Sequence, residues 1–166
     1  MSNQPCPPNE GICAAPDFNN PEWVSFSRNR LITAAEKGKK YTAANKNGEC
    51  VAKVKVDGGL LSNSTGKKAD YIVLRCDCNK VYILEFKGRH IDEACRQILS
   101  TIDEFSDVLD KCAIYARIIS SRGTIPNLKS SHEYKLDILC RSKFGDLKVK
   151  AKDMKEIFQV DDPLQA

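Results

Sequence analysis

The chain has 166 residues, 42% of them apolar and 29% charged, with a formal net charge of +4. Those values fit one globular domain able to bury a core, and they exclude wholesale disorder. No apolar run is long enough to cross a bilayer as a helix, and Met1-Ser2-Asn3-Gln4-Pro5 lacks the basic start and apolar stretch of a secretory signal. A cytoplasmic chain without membrane association is therefore expected. The modest basic excess accommodates a polyanionic partner without demanding one.

The eight cysteines lie at 6, 13, 50, 76, 78, 95, 112 and 140. Without an export signal, and with several of them inside apolar runs, free thiols are expected for most, with Cys95, Cys112 and Cys140 buried. The spacing Cys76-x-Cys78 and the loose Cys6/Cys13 pair do not make a paired zinc-ligand pattern.

Residues 1–20 carry Pro5, Pro7, Pro8 and Pro16 and no periodicity, which predicts a flexible N-terminal arm. Residues 21–166 then form a single domain. Pro21 in a first turn, the spacing of Trp23, Phe26, Arg30, Leu31 and Ala34, and the stop at Gly38 predict a helix. Residues 50–56 alternate as a strand ended by Asp57-Gly58-Gly59. Residues 69–74 and 80–87 are strands joined by turn material at Asp77-Cys78-Asn79, so they form a hairpin. From Ile91 to Leu109 one apolar stripe marks a long helix, which packs through Ile98, Leu99, Ile102 and Phe105. Residues 112–119 follow as a strand parallel to 80–87. Residues 124–134 read as loop, 134–141 as a strand, and 147–158 as mixed.

The strand 80–87 holds the chemistry. Tyr82, Leu84 and Phe86 share one face, and Val81, Ile83, Glu85 and Lys87 share the other. Both faces are apolar, as in a central covered strand, yet one ends in two charges. With the turn centred between Asp77 and Cys78, Asp70 lies directly opposite Glu85; a one-residue shift of that centre sets it opposite Lys87. Facing carboxylates repel unless a cation lies between them. A Mg²⁺ ion, which takes one or two carboxylates plus water and substrate phosphate, suits such a pair.

Asp70, followed by Glu85-x-Lys87 on the next strand, resembles the PD-(D/E)XK nuclease superfamily, the restriction-endonuclease-like fold. Lys68-Ala69-Asp70 stands where that motif has Pro-Asp. The resemblance covers residues 21–122 as an arrangement. It implies an α/β fold with an αβββαβ core and a central mixed sheet flanked by helices. It implies Mg²⁺-dependent (or Mn²⁺-dependent) hydrolysis of phosphodiester bonds in DNA, or else RNA. Asp70 and Glu85 would hold the metal, with Glu36 on the first helix completing the set and Glu22 behind it. Lys87 would act on water and developing charge, and Gln97 would be a helper on the long helix. Lys68, Ser121 and Arg122 would contact the nucleic acid. A homodimer or another protein partner is compatible with the fold. Such a nuclease could be a toxin or effector, a resolvase-like or repair enzyme, or a defence component. The alternative is the same fold without catalysis, as a binding module such as an immunity protein or assembly subunit.

Overall fold

The computed structural model describes residues 6–7, 11–62, 66–121 and 130–159. It is a mixed α/β structure. Strands β1 (Val24–Ser27), β4 (Val51–Lys55), β5 (Tyr71–Arg75), β6 (Lys80–Lys87), β7 (Ala113–Ser120) and β8 (Leu147–Ala151) form one sheet in the order β1-β4-β5-β6-β7-β8. β4, β5 and β6 are an antiparallel meander, and β6, β7 and β8 run parallel. A second sheet, β2-β3-β9, is built from β2 (Leu31–Glu36), β3 (Lys39–Ala44) and β9 (Asp153–Ile157).

The two-residue side-chain period of the strands sorts the core into two. On one face Ile72, Leu74, Val81, Ile83, Ala116 and Ile118 pack against α1 (Ile91–Glu104), α2 (Ser106–Leu109) and α3 (Ser131–Ser142). Ile98, Ile102 and Phe105 are buried there and Leu99 is half-buried, as the apolar stripe predicts. On the other face Val73, Tyr82, Leu84, Phe86 and Ile119 meet Ile32, Ala34, Tyr41, Ala43 and Met154 of the small sheet. The central strand β6 is thus covered on both faces.

The predicted helix over 21–38 is instead β1 and β2. Val24-Ser25-Phe26-Ser27 alternates, and in β2 Ile32 and Ala34 face inward while Leu31, Thr33 and Ala35 face out. Gly38 is not a helix stop but half of a tight hairpin turn. Lys37 and Gly38 both have positive φ, 51° and 72°, the pairing a two-residue turn needs to follow strand twist. The predicted strand over 134–141 is α3. Its alternating Tyr134, Leu136, Ile138 and Cys140 suggest a strand, but only Leu136 and Cys140, four apart, are buried among them. Ser130 caps this helix by accepting from the Glu133 N–H at 3.2 Å. After α3 the chain turns at Gly145, where a Cβ would stand 1.7 Å from the Ile114 carbonyl oxygen.

The N-terminal segment is not a loose arm where it is described. Ile12, Cys13 and Phe18 are buried, and Phe18 packs on Phe105 with ring centroids 5.4 Å apart. Two disulfides, Cys6–Cys50 and Cys13–Cys76, pin it to the sheet. Cys50 precedes β4 and Cys76 follows β5, and the two residues hydrogen-bond through their backbones. Both bridges therefore sit at one end of the sheet. The expectation of mostly free thiols is corrected to four free cysteines, of which Cys95, Cys112 and Cys140 are buried as expected. Geometry explains the difference, because the N-terminal segment crosses that sheet end with Cα separations of 5.7 and 5.3 Å, within disulfide reach.

Candidate functional site

The 70/85 pair lies at the other end of β5 and β6. The observed register pairs Tyr71 with Leu84, which sets Asp70 opposite Glu85 as the turn geometry predicts. Both side chains are buried, at 4% and 1% exposure. Each binds the other's strand. Asp70 Oδ2 accepts from the Phe86 N–H at 2.8 Å, and the Asp70 N–H donates to Glu85 Oε2 at 3.1 Å. Glu85 Oε1 is buried and has no hydrogen-bond partner among the described residues. Burial, then the Asp70 charge, pushes the Glu85 carboxyl up to about 8, while Lys87 and Lys37 pull the other way. Burial also raises Asp70, against the pull of its hydrogen bond from Phe86.

Lys87 projects to the same face as Glu85, toward α1. Its ammonium donates to Gln97 Oε1 at 2.8 Å and pairs with Glu93 Oε1 at 3.2 Å. Glu93 and Gln97 are four apart on α1 and so share a helix face. The Gln97 Nε2 donates to the Lys68 carbonyl at 3.0 Å, which fixes the amide with its oxygen toward Lys87. Thr101 accepts from the Ala69 N–H at 2.8 Å and donates to the Gln97 carbonyl, tying α1 to the segment that carries Asp70. The lysine is therefore held between helix and strand.

The structure brings Asp70, Glu85, Lys87 and Gln97 together. Ser121 adjoins them, its N–H donating to the carbonyls of Lys87 and Gly88. Lys68 is not exposed for a phosphate. It is buried and its ammonium donates to Ser100 Oγ at 2.7 Å, so it builds the wall behind the site. Arg122 lies outside the described residues. Glu36 sits on a strand rather than a helix, and both its oxygens accept from Lys55 Nζ at 3.0 Å. That pair belongs to the small-sheet side, where Lys55 also covers the Tyr71 ring. Glu22, the reserve candidate, is exposed in the turn before β1.

Sequence reasoning missed Lys37, Glu93 and Thr101. The last two were findable from Gln97, since helix neighbours at four-residue spacing face the same strand. Lys37 carried no such signal while its segment read as helix. Beside Lys87 the residues Arg89, His90, Ile91, Asp92, Glu93 and Arg96 line an open cleft of about 490 Å³. It shares Glu93 with the Lys87 pair and presents two arginines.

Among the described residues no cluster of three or more His, Cys, Asp or Glu side chains suits a metal. The donor set is the two carboxylates alone, which is enough for Mg²⁺, an ion that keeps several waters and takes substrate oxygens. The partnerless Glu85 oxygen fits such an ion, because a buried carboxylate oxygen that accepts no hydrogen bond keeps its lone pairs open to one.

No protein-family model, curated protein or solved structure matches the chain.

Proposed function

We propose that the chain is a divalent-metal-dependent nuclease of the PD-(D/E)XK type, hydrolysing phosphodiester bonds of DNA. The observation that carries this reading is the buried Glu85 Oε1, left without a donor next to Asp70 and with Lys87 one strand step away. The order β4-β5-β6, then α1, then a parallel β7 supports the βββαβ part of the core. Among the described residues the first helix of that core has no counterpart, and the β2–β3 hairpin occupies its place in the chain.

Asp70 and Glu85 would hold Mg²⁺ or Mn²⁺; Glu36, whose charge helps to raise Asp70, is paired with Lys55. When bound, the ion supplies charge neutralisation on the phosphate and a more acidic water. The chain's own residues do the rest. Lys87, fixed by Gln97 and Glu93, places an ammonium where negative charge develops as water adds to phosphorus and the bond to the leaving sugar oxygen breaks. Gln97 holds that ammonium and is a positioning residue. Ser121, exposed beside Lys87, offers a hydroxyl to the phosphate backbone.

A plasmid and labelled single- and double-stranded oligonucleotides, incubated with Mg²⁺ or Mn²⁺ and with EDTA, test the proposal. Metal-dependent cleavage is expected. No cleavage of DNA or RNA under any of these conditions would retire the enzyme reading in favour of a non-catalytic binding module.

A further inference from the structure

We propose that Lys37, at the tip of the β2–β3 hairpin, is a substrate-binding residue that grips a backbone phosphate of the strand lying over Asp70 and Glu85. This rests on the nuclease reading of that pair. β2 and β3 stay in register from Leu31 opposite Ala44 to Glu36 opposite Lys39, so the turn is the end of a continuous ladder. That ladder delivers Lys37 to the end of β6, where its ammonium comes 3.5 Å from the Phe86 carbonyl. Lys87 acts on Glu85 from the helix side of the sheet, and Lys37 reaches the same sheet end from the small-sheet side.

The Phe86 contact places the ammonium at that sheet end, and three observations bear on why a lysine stands there and is available. First, Lys37 occupies a positive-φ turn position that Asn or Gly fills most easily, so local conformation does not explain a lysine there. Second, the turn is anchored from within. Lys39, only 8% exposed, donates its ammonium to the Lys37 carbonyl at 3.3 Å. Third, the adjacent carboxylate does not compete for Lys37. Both Glu36 oxygens accept from Lys55, and among the described residues no carboxylate lies within ion-pair distance of Lys37. An exposed ammonium with one long contact to a carbonyl, beside two carboxylates, is a point-charge donor available to a phosphate oxygen.

The test is oligonucleotide binding with Ca²⁺ in place of Mg²⁺, read by fluorescence anisotropy over a range of salt. Lys37→Asn keeps a residue suited to positive φ and removes the charge. It should weaken binding several-fold at low salt and reduce the log–log salt slope by about 0.7–0.9, the loss of one phosphate contact. Lys37→Arg should restore the slope. Lys40→Gln, on the outward face of β3, should leave both unchanged, and thermal melts should confirm that all three variants fold. Unaltered affinity and slope in Lys37→Asn, or no oligonucleotide binding by the wild type, would overturn the assignment. Cleavage is scored separately. Lys37-dependent binding without cleavage supports the Lys37 assignment and defeats only the catalytic reading, whereas cleavage and binding indifferent to Lys37→Asn defeat Lys37 alone.

Discussion

Glu85 is the buried carboxyl at the centre of the candidate site. Its carboxyl titrates near 4.5 when unperturbed and near 8 in the fold, because burial and Asp70 disfavour the anion. The groups facing it are Asp70, Lys87 and Lys37. Between those two values the folded protein binds more protons here than the unfolded chain. Stability present below about pH 4.5 is therefore lost progressively as pH rises through about 8. Metal-free protein should lose thermal stability across that window, and Glu85→Gln should flatten the decline; a wild-type profile level from pH 5 to 9 would contradict the shift. Two alanine variants separate the roles. Glu85→Ala should abolish both Mn²⁺ binding and cleavage. Lys87→Ala should spare Mn²⁺ binding and reduce the cleavage rate about 10²–10³-fold, as single-turnover kinetics would show. This part of the site was legible in the sequence because a strand's period is two and a tight turn fixes register. Once the turn at Asp77-Cys78 was placed, Asp70 and Glu85 had to meet. Lys37 was not legible, because its position depends on a hairpin that the spacing of Trp23, Phe26, Arg30 and Ala34 disguised as a helix.

At the scale of elements, α1 and the β5–β6 hairpin position the site, and the sequence specified both through long, unambiguous periodicity. The errors fell on short segments. In α3, Tyr134-x-Leu136-x-Ile138-x-Cys140 alternates like a strand, yet Tyr134 and Ile138 are exposed and Leu136 and Cys140 form the buried pair. The Ser130-x-x-Glu133 capping box was the better signal, since it marks where a helix begins whatever follows. Ser130→Ala should cost about 1 kcal/mol in chemical denaturation by removing that cap. In β2, Leu31 points to solvent and Ala34 inward, so the apolar residues that suggested a helical stripe do not share a face. The small sheet they help to form closes the second core. There Arg117 joins β7 to β9 through Glu156 at 3.0 Å, and Tyr82 stacks on Tyr115 with centroids 4.7 Å apart. Glu156 also accepts from Tyr41. Glu156→Ala should cost about 3–5 kcal/mol, since it strips a carboxylate from a buried guanidinium; a change below about 1 kcal/mol in a urea melt would show that Asp146 alone suffices.

Across the whole molecule, the two disulfides and the candidate site lie at opposite ends of β5. Composition carried no signal for the bridges, because pairing across 44 and 63 residues depends on where the N-terminal segment crosses the sheet. They run against the reduced state expected for most of the thiols, and among the described residues no helix is long and apolar enough to cross a membrane. Thiol titration of the denatured, unreduced protein should report four free thiols rather than eight. Replacing Cys13 and Cys76 together with serine should cost about 2–4 kcal/mol and leave Mn²⁺ affinity unchanged, because the bridge lies away from the carboxylates. The proposed function requires Asp70 and Glu85 to hold a divalent cation jointly. Calorimetric titration of the wild-type protein and of Glu85→Gln with Mn²⁺ at pH 7.5 tests it most directly. Mn²⁺ binding by the wild type is expected with release of protons to the buffer, because the ion would displace the Glu85 proton, and no binding by the variant. A wild type that takes up no Mn²⁺, or a variant that binds it equally well, would contradict it.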